Sequence, residues 1–137
     1  MKVAIAGALG RMGRALVEAV RADPELALAA AVDVSADAAL GVSADPRSIA
    51  AADVLIDFTR PEGTLAHLSH ARAMVIGTTG FSASQRTLIV EKAKSLPIVM
   101  AANFAVGVNA TYKLAEMAAS ILGEGYDVEI VEAHHRH

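Results

Sequence analysis

Residues 3–13 read VAIAGALGRMG, a short apolar run that leads into three glycines spaced three residues apart. An apolar strand, a glycine-rich turn and a helix in this order are typical of nucleotide-binding α/β folds. Gly7 permits the tight turn, Gly10 lets backbone N–H groups approach a pyrophosphate, and Gly13 lets the helix pack close to the strand. The spacing G-x-x-G-x-x-G differs from the more usual G-x-G-x-x-G, and a turn without a ligand is the alternative interpretation.

The rest of the chain alternates between strand-like and helix-like segments. We expect strands at residues 2–6, 26–33, 54–58, 73–76, 97–101 and 127–131. We expect helices at residues 10–21, 61–71, 82–94 and 106–122, and a loop with room for one short helix at residues 35–48. Pro61 suits a first helical position, and Ser82 with Gln85 forms a capping-box pattern. This alternation predicts an α/β fold: a Rossmann-type, doubly wound parallel sheet with helices on both faces.

Composition narrows the class of protein. The chain has 137 residues, 54% of them hydrophobic, which fits one domain with a substantial core. Its net charge of −3 favours neither nucleic acid nor an anionic membrane as a partner. The absence of cysteine excludes disulfides, thiolate metal sites and cysteine nucleophiles. Because no signal-peptide core or membrane-length apolar run is evident, we expect a cytoplasmic protein.

Asp33 is the second cofactor signal in the sequence. It lies twenty residues after Gly13, at the end of the second predicted strand. An acid there can accept hydrogen bonds from the ribose hydroxyls of an adenosine, although it could also be an ordinary turn aspartate. The next residue is Val34, so no adjacent arginine is available to bind the 2′-phosphate of NADPH. The sequence therefore favours NADH over NADPH. Arg11 either contacts a phosphate or is solvated.

Four later stretches make the pattern more specific. They are IDFTRPEGT at residues 56–64, VIGTTGF at 75–81, AANFAVGVN at 101–109 and EAHHRH at 132–137. In this order and spacing the chain resembles dihydrodipicolinate reductase of lysine biosynthesis along its entire length. The resemblance implies an NAD(P)H-dependent oxidoreductase that reduces an anionic, cyclic dihydrodipicolinate-type substrate to tetrahydrodipicolinate in the diaminopimelate and lysine pathway.

The resemblance also assigns residues. His134 corresponds to the family's proton donor and His135 to a substrate-contacting histidine. The implied cofactor-binding residues are Gly7, Ala8, Leu9, Gly10, Arg11, Met12, Asp33, Gly77, Thr78, Thr79, Ala101, Ala102, Asn103 and Phe104. Asn103 could equally cap the next helix, and Phe104 could equally fill the core. Two departures from the family are the large Leu9 in the glycine loop and a short 35–48 segment.

The same resemblance sets the expected organisation. Residues 1 to about 125 would form the cofactor domain, and residues 126–137 would begin the substrate region. The family continues with a lysine, an Asp-Ala-Pro-Ser-Gly-Thr stretch and a domain that forms a homotetramer, none of which is among these residues. We therefore expect dinucleotide binding without turnover from this chain alone. No metal site is expected, because adjacent histidines in a strand point to opposite faces.

Three other functions are consistent with parts of the pattern. A non-catalytic NAD(H)-binding module would need only the first domain. Another nicotinamide-dependent dehydrogenase could share that domain, but residues 132–137 argue against it. A methyltransferase-like fold that binds S-adenosylmethionine has a similar acid after its second strand, whereas Gly13 and the 77–80 loop favour a dinucleotide.

Overall fold

The structure is a computed structural model that describes residues 1–131, and the chain divides into two compact units. The first unit, Met1–Ala102, contains five strands: β1 (Lys2–Ala6), β2 (Ala27–Val32), β3 (Val54–Asp57), β4 (Met74–Ile76) and β5 (Ile98–Met100). Its helices are α1 (Arg11–Ala22), α2 (Pro61–His67) and α3 (Ala83–Ala93), with a short 3-10 helix at Pro46–Ala51. All five strands are parallel, in the order β2-β1-β3-β4-β5.

The sheet is covered on both faces, as alternating side chains of β1 show. Val3 and Ile5 belong to an apolar cluster that includes Val20 of α1. Ala4 and Ala6 point the other way, into a second cluster that includes residues of α3 and of the 3-10 helix, such as Ile89 and Ile49. Because successive side chains of a strand point to opposite faces, these clusters lie on opposite sides of the sheet. The prediction of a doubly wound α/β fold is therefore confirmed.

The carboxyl ends of the five strands lie at one edge of the sheet. Ala6 is in register with Val32 on one side and with Asp57 on the other, Asp57 with Ile76, and Ile76 with Met100. The chain leaves β1 towards β2 and then returns to β3 on the opposite side of β1. The strand order reverses between β1 and β3, which is where ligands bind in open α/β sheets.

The sequence signals that marked the starts of α2 and α3 are confirmed. Pro61 is the first residue of α2, and Ser82 with Gln85 forms the predicted capping box of α3. However, α2 ends at His67 and not near residue 71, because the His70 N–H bonds the His67 carbonyl at 3.0 Å and closes a tight turn. In the 35–48 segment the chain returns to the sheet, where Ser43 bridges to Val32.

The second unit begins at Asn103. It contains α4 (Val106–Leu122), at the predicted bounds, followed by a 3-10 turn at Gly123–Gly125. The predicted sixth strand at residues 127–131 is wrong, because the structure forms no strand there. Alternating apolar residues give a segment strand character, but a strand also needs a neighbour with which to form a ladder. No residue between 1 and 131 pairs with this segment.

A membrane-crossing helix is not found in the described part of the chain, since no helix there is long and apolar enough.

Candidate functional site

The glycine loop after β1 needs glycine at two of its three positions for steric reasons. Gly7 has a φ of +76°, in the left-handed region, and its N–H and that of Ala8 donate to the Val32 carbonyl at 2.9 and 3.1 Å. A Cβ at Gly13 would lie 1.9 Å from the Gly7 carbonyl oxygen, an impossible contact with the backbone. The first turn of α1 is therefore pressed directly onto the turn that follows β1.

The start of α1 is open to an anion. Its N-cap is Gly10, which supplies no side chain to accept hydrogen bonds from the first helical N–H groups. These groups carry the positive end of the helix dipole and suit a phosphate. A Cβ at Gly10 would meet only the Gly7 carbonyl oxygen, at 3.2 Å. Gly10 is thus less constrained by packing than Gly13, and a side chain there would protrude where an anion would bind.

Asp33 holds the glycine loop in place. Its Oδ2 accepts the Leu9 N–H at 2.8 Å, and its Oδ1 accepts the Val34 N–H at 2.7 Å. A carboxylate has about four acceptor sites, so this half-buried group still has lone pairs for the hydroxyls of a ligand. The sequence allows two roles for Asp33, as a ribose-binding acid or as an ordinary turn aspartate. The backbone bond to Leu9, twenty-four residues away, was not predicted.

A cavity of about 780 Å³ opens between these groups at the point where the strand order reverses. Four of the predicted cofactor residues line it: Gly7, Leu9, Gly10 and Asp33. Leu9, the departure noted in the sequence, also packs against the apolar cluster on the α1 side of the sheet. The other three predicted residues of the glycine loop do not line the cavity: Ala8 is buried, and Arg11 and Met12 are exposed on α1.

The opposite wall of the cavity comes from a segment to which sequence analysis assigned no binding residue. It includes Phe58, Thr59, Arg60, Gly63 and His67, from the loop after β3 and from α2. The signal was present, because this loop follows a strand at the ligand-binding edge and belongs to the quoted 56–64 stretch. His67 lies one helical turn after Gly63, so both occupy the same face of α2.

Beneath that wall lies a buried polar network centred on Asp57, the last residue of β3. The Asp57 side chain is fully buried, and its Oδ2 lies 2.7 Å from Nδ1 of His67. Its Oδ1 accepts the hydroxyl of Thr59 at 2.6 Å and the Thr59 N–H at 3.0 Å. Burial raises the pKa of Asp57, but hydrogen bonds from His67 and Thr59 outweigh it and hold that pKa below its ordinary value. Asp57 is thus a carboxylate at neutral pH.

The predicted residues after β4 and β5 lie at the same edge of the first unit, outside the cavity lining. The Gly77 N–H donates to the Asp57 carbonyl at 2.9 Å, and the Phe58 ring lies so close that a Cβ on Gly77 would fall 2.1 Å from it. Thr78 is buried, whereas the adjacent Thr79 is exposed. Of the last two predicted residues of this unit, Ala101 bonds back to β4 and Ala102 is exposed on the loop after β5.

In the second unit, Asn103 is engaged at the start of α4. Its Oδ1 accepts the N–H of Ala105, the N-cap residue of α4, at 2.7 Å. Asn103 thus orders the turn before α4, but it is not the capping residue, because α4 has no side-chain cap hydrogen bond; the Phe104 side chain is exposed. His134 and His135 lie outside the described residues. Within residues 1–131, no three histidine or acidic side chains are grouped to hold a metal ion.

Comparison with known proteins shows the family to which the chain belongs. A family model described as dihydrodipicolinate reductase, N-terminus, matches residues 1–104. The chain belongs to this family. Proteins named 4-hydroxy-tetrahydrodipicolinate reductase from Cupriavidus metallidurans and Aromatoleum aromaticum are 53% and 52% identical to it over 100% and 99% of its length. The chain spans only 59% and 56% of those two dihydrodipicolinate reductases.

A solved structure of the same family supports the fold. Dihydrodipicolinate reductase from Paenisporosarcina sp. TG-14, with dipicolinate bound, is 28% identical and superposes with a TM-score of 0.73. The match covers 88% of this chain and 54% of that protein. An NAD-binding protein from Listeria innocua, 17% identical with a TM-score of 0.54, shares the fold.

Proposed function

We propose that this chain binds a reduced nicotinamide adenine dinucleotide at the carboxyl edge of its sheet. The observation that carries the proposal is the glycine loop held by Asp33 beside a cavity of about 780 Å³ where the strand order reverses. Its fit to a dinucleotide rests on two features: an uncapped helix start for the pyrophosphate and a half-buried carboxylate with free lone pairs for a ribose.

We propose that Gly7 to Met12 and Asp33 hold the adenosine and pyrophosphate half of the cofactor. Residues 77–79 and 101–104 would serve the nicotinamide half, as the resemblance implies. Residues 1 to about 125 would then form the cofactor domain, and residues 126–137 would open the substrate region. When bound, the cofactor supplies hydride. The protein's part is to orient it, to exclude water and to donate a proton.

We propose that, within a complete reductase, the reaction is reduction of a dihydrodipicolinate-type substrate to tetrahydrodipicolinate in the cytoplasm. His134 would donate the proton and His135 would contact the anionic substrate. The complete protein would be a homotetramer. NADH would be preferred over NADPH, since a 2′-phosphate would meet the charge of Asp33, and Val34 offers no compensating cation.

Calorimetric titration of this chain with NADH tests the binding proposal. We expect saturable binding that Gly10→Val abolishes, because the valine would occupy the space through which a pyrophosphate approaches the helix start. Ala15→Val is the matched control, since residue 15 is exposed on α1 and does not line the cavity. Unchanged NADH affinity in Gly10→Val would remove the glycine loop from the site, and no binding by the unmodified chain would remove the function.

A further inference from the structure

A fully buried carboxylate at the end of β3 needs a structural reason. Asp57 is 0% exposed, in register with Ala6 before the glycine loop and with Ile76 before the 77–80 loop. Removing a charge from water costs several kcal/mol unless it is paired and hydrogen-bonded. Nothing in the core of a parallel sheet requires an acid at this level. The contacts made by Asp57 therefore indicate what it does.

Those contacts engage both oxygens of the carboxylate. His67 pairs with Oδ2, while Thr59 donates its hydroxyl and its N–H to Oδ1. An ionised carboxylate can only accept, so Nδ1 of His67 carries the hydrogen in this pair. The two donors come from different elements, since Thr59 lies in the loop after β3 and His67 ends α2. Asp57 therefore ties that loop to the helix that follows it.

The network extends to the loop after β4 through Thr78. The Thr78 hydroxyl donates to Oδ1 of Asp57 at 3.3 Å and accepts from the Thr64 hydroxyl at 2.9 Å. It also accepts from the Thr59 N–H at 3.0 Å, a donor that is shared between Thr78 and Oδ1 of Asp57. Its one donor and both of its acceptor positions are therefore used internally. Thr78 is 5% exposed, and the hydroxyl that this loop offers to solvent belongs to its neighbour, Thr79.

We propose that the Asp57–His67 pair is a positioning device that fixes the loops after β3 and β4 relative to each other through Thr59 and Thr78. In this assignment Thr78 is a positioning residue and Thr79 is the threonine of that loop left to meet a ligand. The proposal rests on the dinucleotide-binding function only in supposing that these loops serve a cofactor. The device itself is defined by hydrogen bonds within the chain.

Two variants, His67→Leu and His67→Asn, distinguish a role of His67 in positioning the loops from a role in packing alone. Leucine fills the space but removes the donor, whereas the side-chain amide of asparagine can place an N–H near the position of Nδ1. His70→Leu is the matched control, because His70 follows α2 and makes no side-chain bond to Asp57.

The first measurement is amide hydrogen exchange in the ligand-free chain. We expect His67→Leu to lower the protection of the Thr59 N–H by about tenfold or more, as for loss of a hydrogen bond to a charged group, with α1 and α3 amides unchanged. His67→Asn should restore most of that protection. A uniform loss across the first unit, not rescued by asparagine, would show that His67 is only a packing residue and would overturn the proposal.

The second measurement is NADH affinity by calorimetry on the same variants. We expect about a tenfold loss for His67→Leu, substantial recovery for His67→Asn and no change for His70→Leu. Failure of the unmodified chain to bind NADH would reject the proposed function. The hydrogen-exchange result would then decide by itself whether the Asp57–His67 pair positions the loops. Normal Thr59 protection in His67→Leu would reject the device even where NADH binds. Should His67→Leu not fold, Thr78→Val against Thr78→Ser makes the same comparison with the hydroxyl removed or kept.

Discussion

Replacing Gly13 by alanine should damage the fold far more than the same replacement three residues earlier. The new Cβ would lie 1.9 Å from the Gly7 carbonyl oxygen, 2.6 Å from its carbon and 2.8 Å from the Ala8 Cα. Real Cβ contacts essentially never fall below 3.0 Å, so the loop and α1 must separate by about 1 Å. All three atoms belong to the backbone, and no side-chain rotation can relieve the clash.

The magnitude follows from what this separation disrupts. Overpacking of this kind costs about 1–3 kcal/mol, and a weakened backbone bond from Gly7 or Ala8 to Val32 adds about 1 kcal/mol. Alanine regains up to about 1 kcal/mol through its better helix propensity. We expect a net loss of about 1–3 kcal/mol in the free energy of unfolding, measured by urea denaturation followed by circular dichroism.

Gly10→Ala is the matched control for this prediction. Its Cβ would make one contact, at 3.2 Å from the Gly7 carbonyl oxygen, which a shift of a few tenths of an ångström relieves. We expect it to change the free energy of unfolding by less than about 0.5 kcal/mol. If the two alanine variants unfold at the same urea concentration, Gly13 is not a packing position and the account of the glycine loop is wrong.

Three further predictions concern charge and catalysis. Asp33→Ala should weaken NADH binding by about tenfold or more, through loss of charge-assisted hydrogen bonds, and should narrow the difference in affinity between NADH and NADPH. Tighter binding of NADPH than of NADH by the unmodified chain would contradict the proposed preference for NADH. Asp57→Asn should flatten the dependence of stability on acid pH: the folded pKa of Asp57 lies below 3.8, so its contribution is present above that value and is lost as pH falls through the folded pKa. Asp45, whose pKa is lowered to about 2 by Arg47, titrates alike in both proteins, so parallel profiles would refute this role of Asp57. In a complete reductase that carries this sequence, His134→Gln should lower kcat by about 10²–10⁴-fold with NADH affinity retained, and His135→Ala should mainly raise KM. These 137 residues alone should show no turnover. Near-normal kcat in a stable His134→Gln variant would remove His134 from the mechanism.

Local patterns were sufficient to predict most elements of the fold. The bounds of β1 and α4 agree with prediction, because an apolar run before glycine and a long helical periodicity are each encoded within one segment. Residues 127–131 show the limit of such patterns. Their alternation is typical of a strand, but pairing depends on a partner that the segment itself does not specify. The early end of α2 at His67 has a similar cause, because it depends on a turn that the helix pattern does not mark.

The two strand-ending aspartates show why part of the site could not be predicted. In the sequence Asp33 and Asp57 look alike, since each lies at or near the end of a predicted apolar strand at the ligand-binding edge. In the structure both accept N–H groups from the loops around them, and these hydrogen bonds restrain those loops. Loops ordered in advance lose less conformational entropy when a ligand binds, which favours affinity.

Burial separates the roles of these two acids. Asp33 is half-buried, so its remaining lone pairs are available to a ligand, and it can hold the glycine loop and bind a ribose at once. Asp57 is fully enclosed, and its oxygens are taken by His67, Thr59 and Thr78, so it can act on a ligand only through those residues. That distinction depends on contacts between β3, α2 and the loop after β4, which come together only when the sheet forms. A substitution at Asp33 should therefore narrow the difference in affinity between NADH and NADPH, whereas one at Asp57 should weaken the binding of both equally.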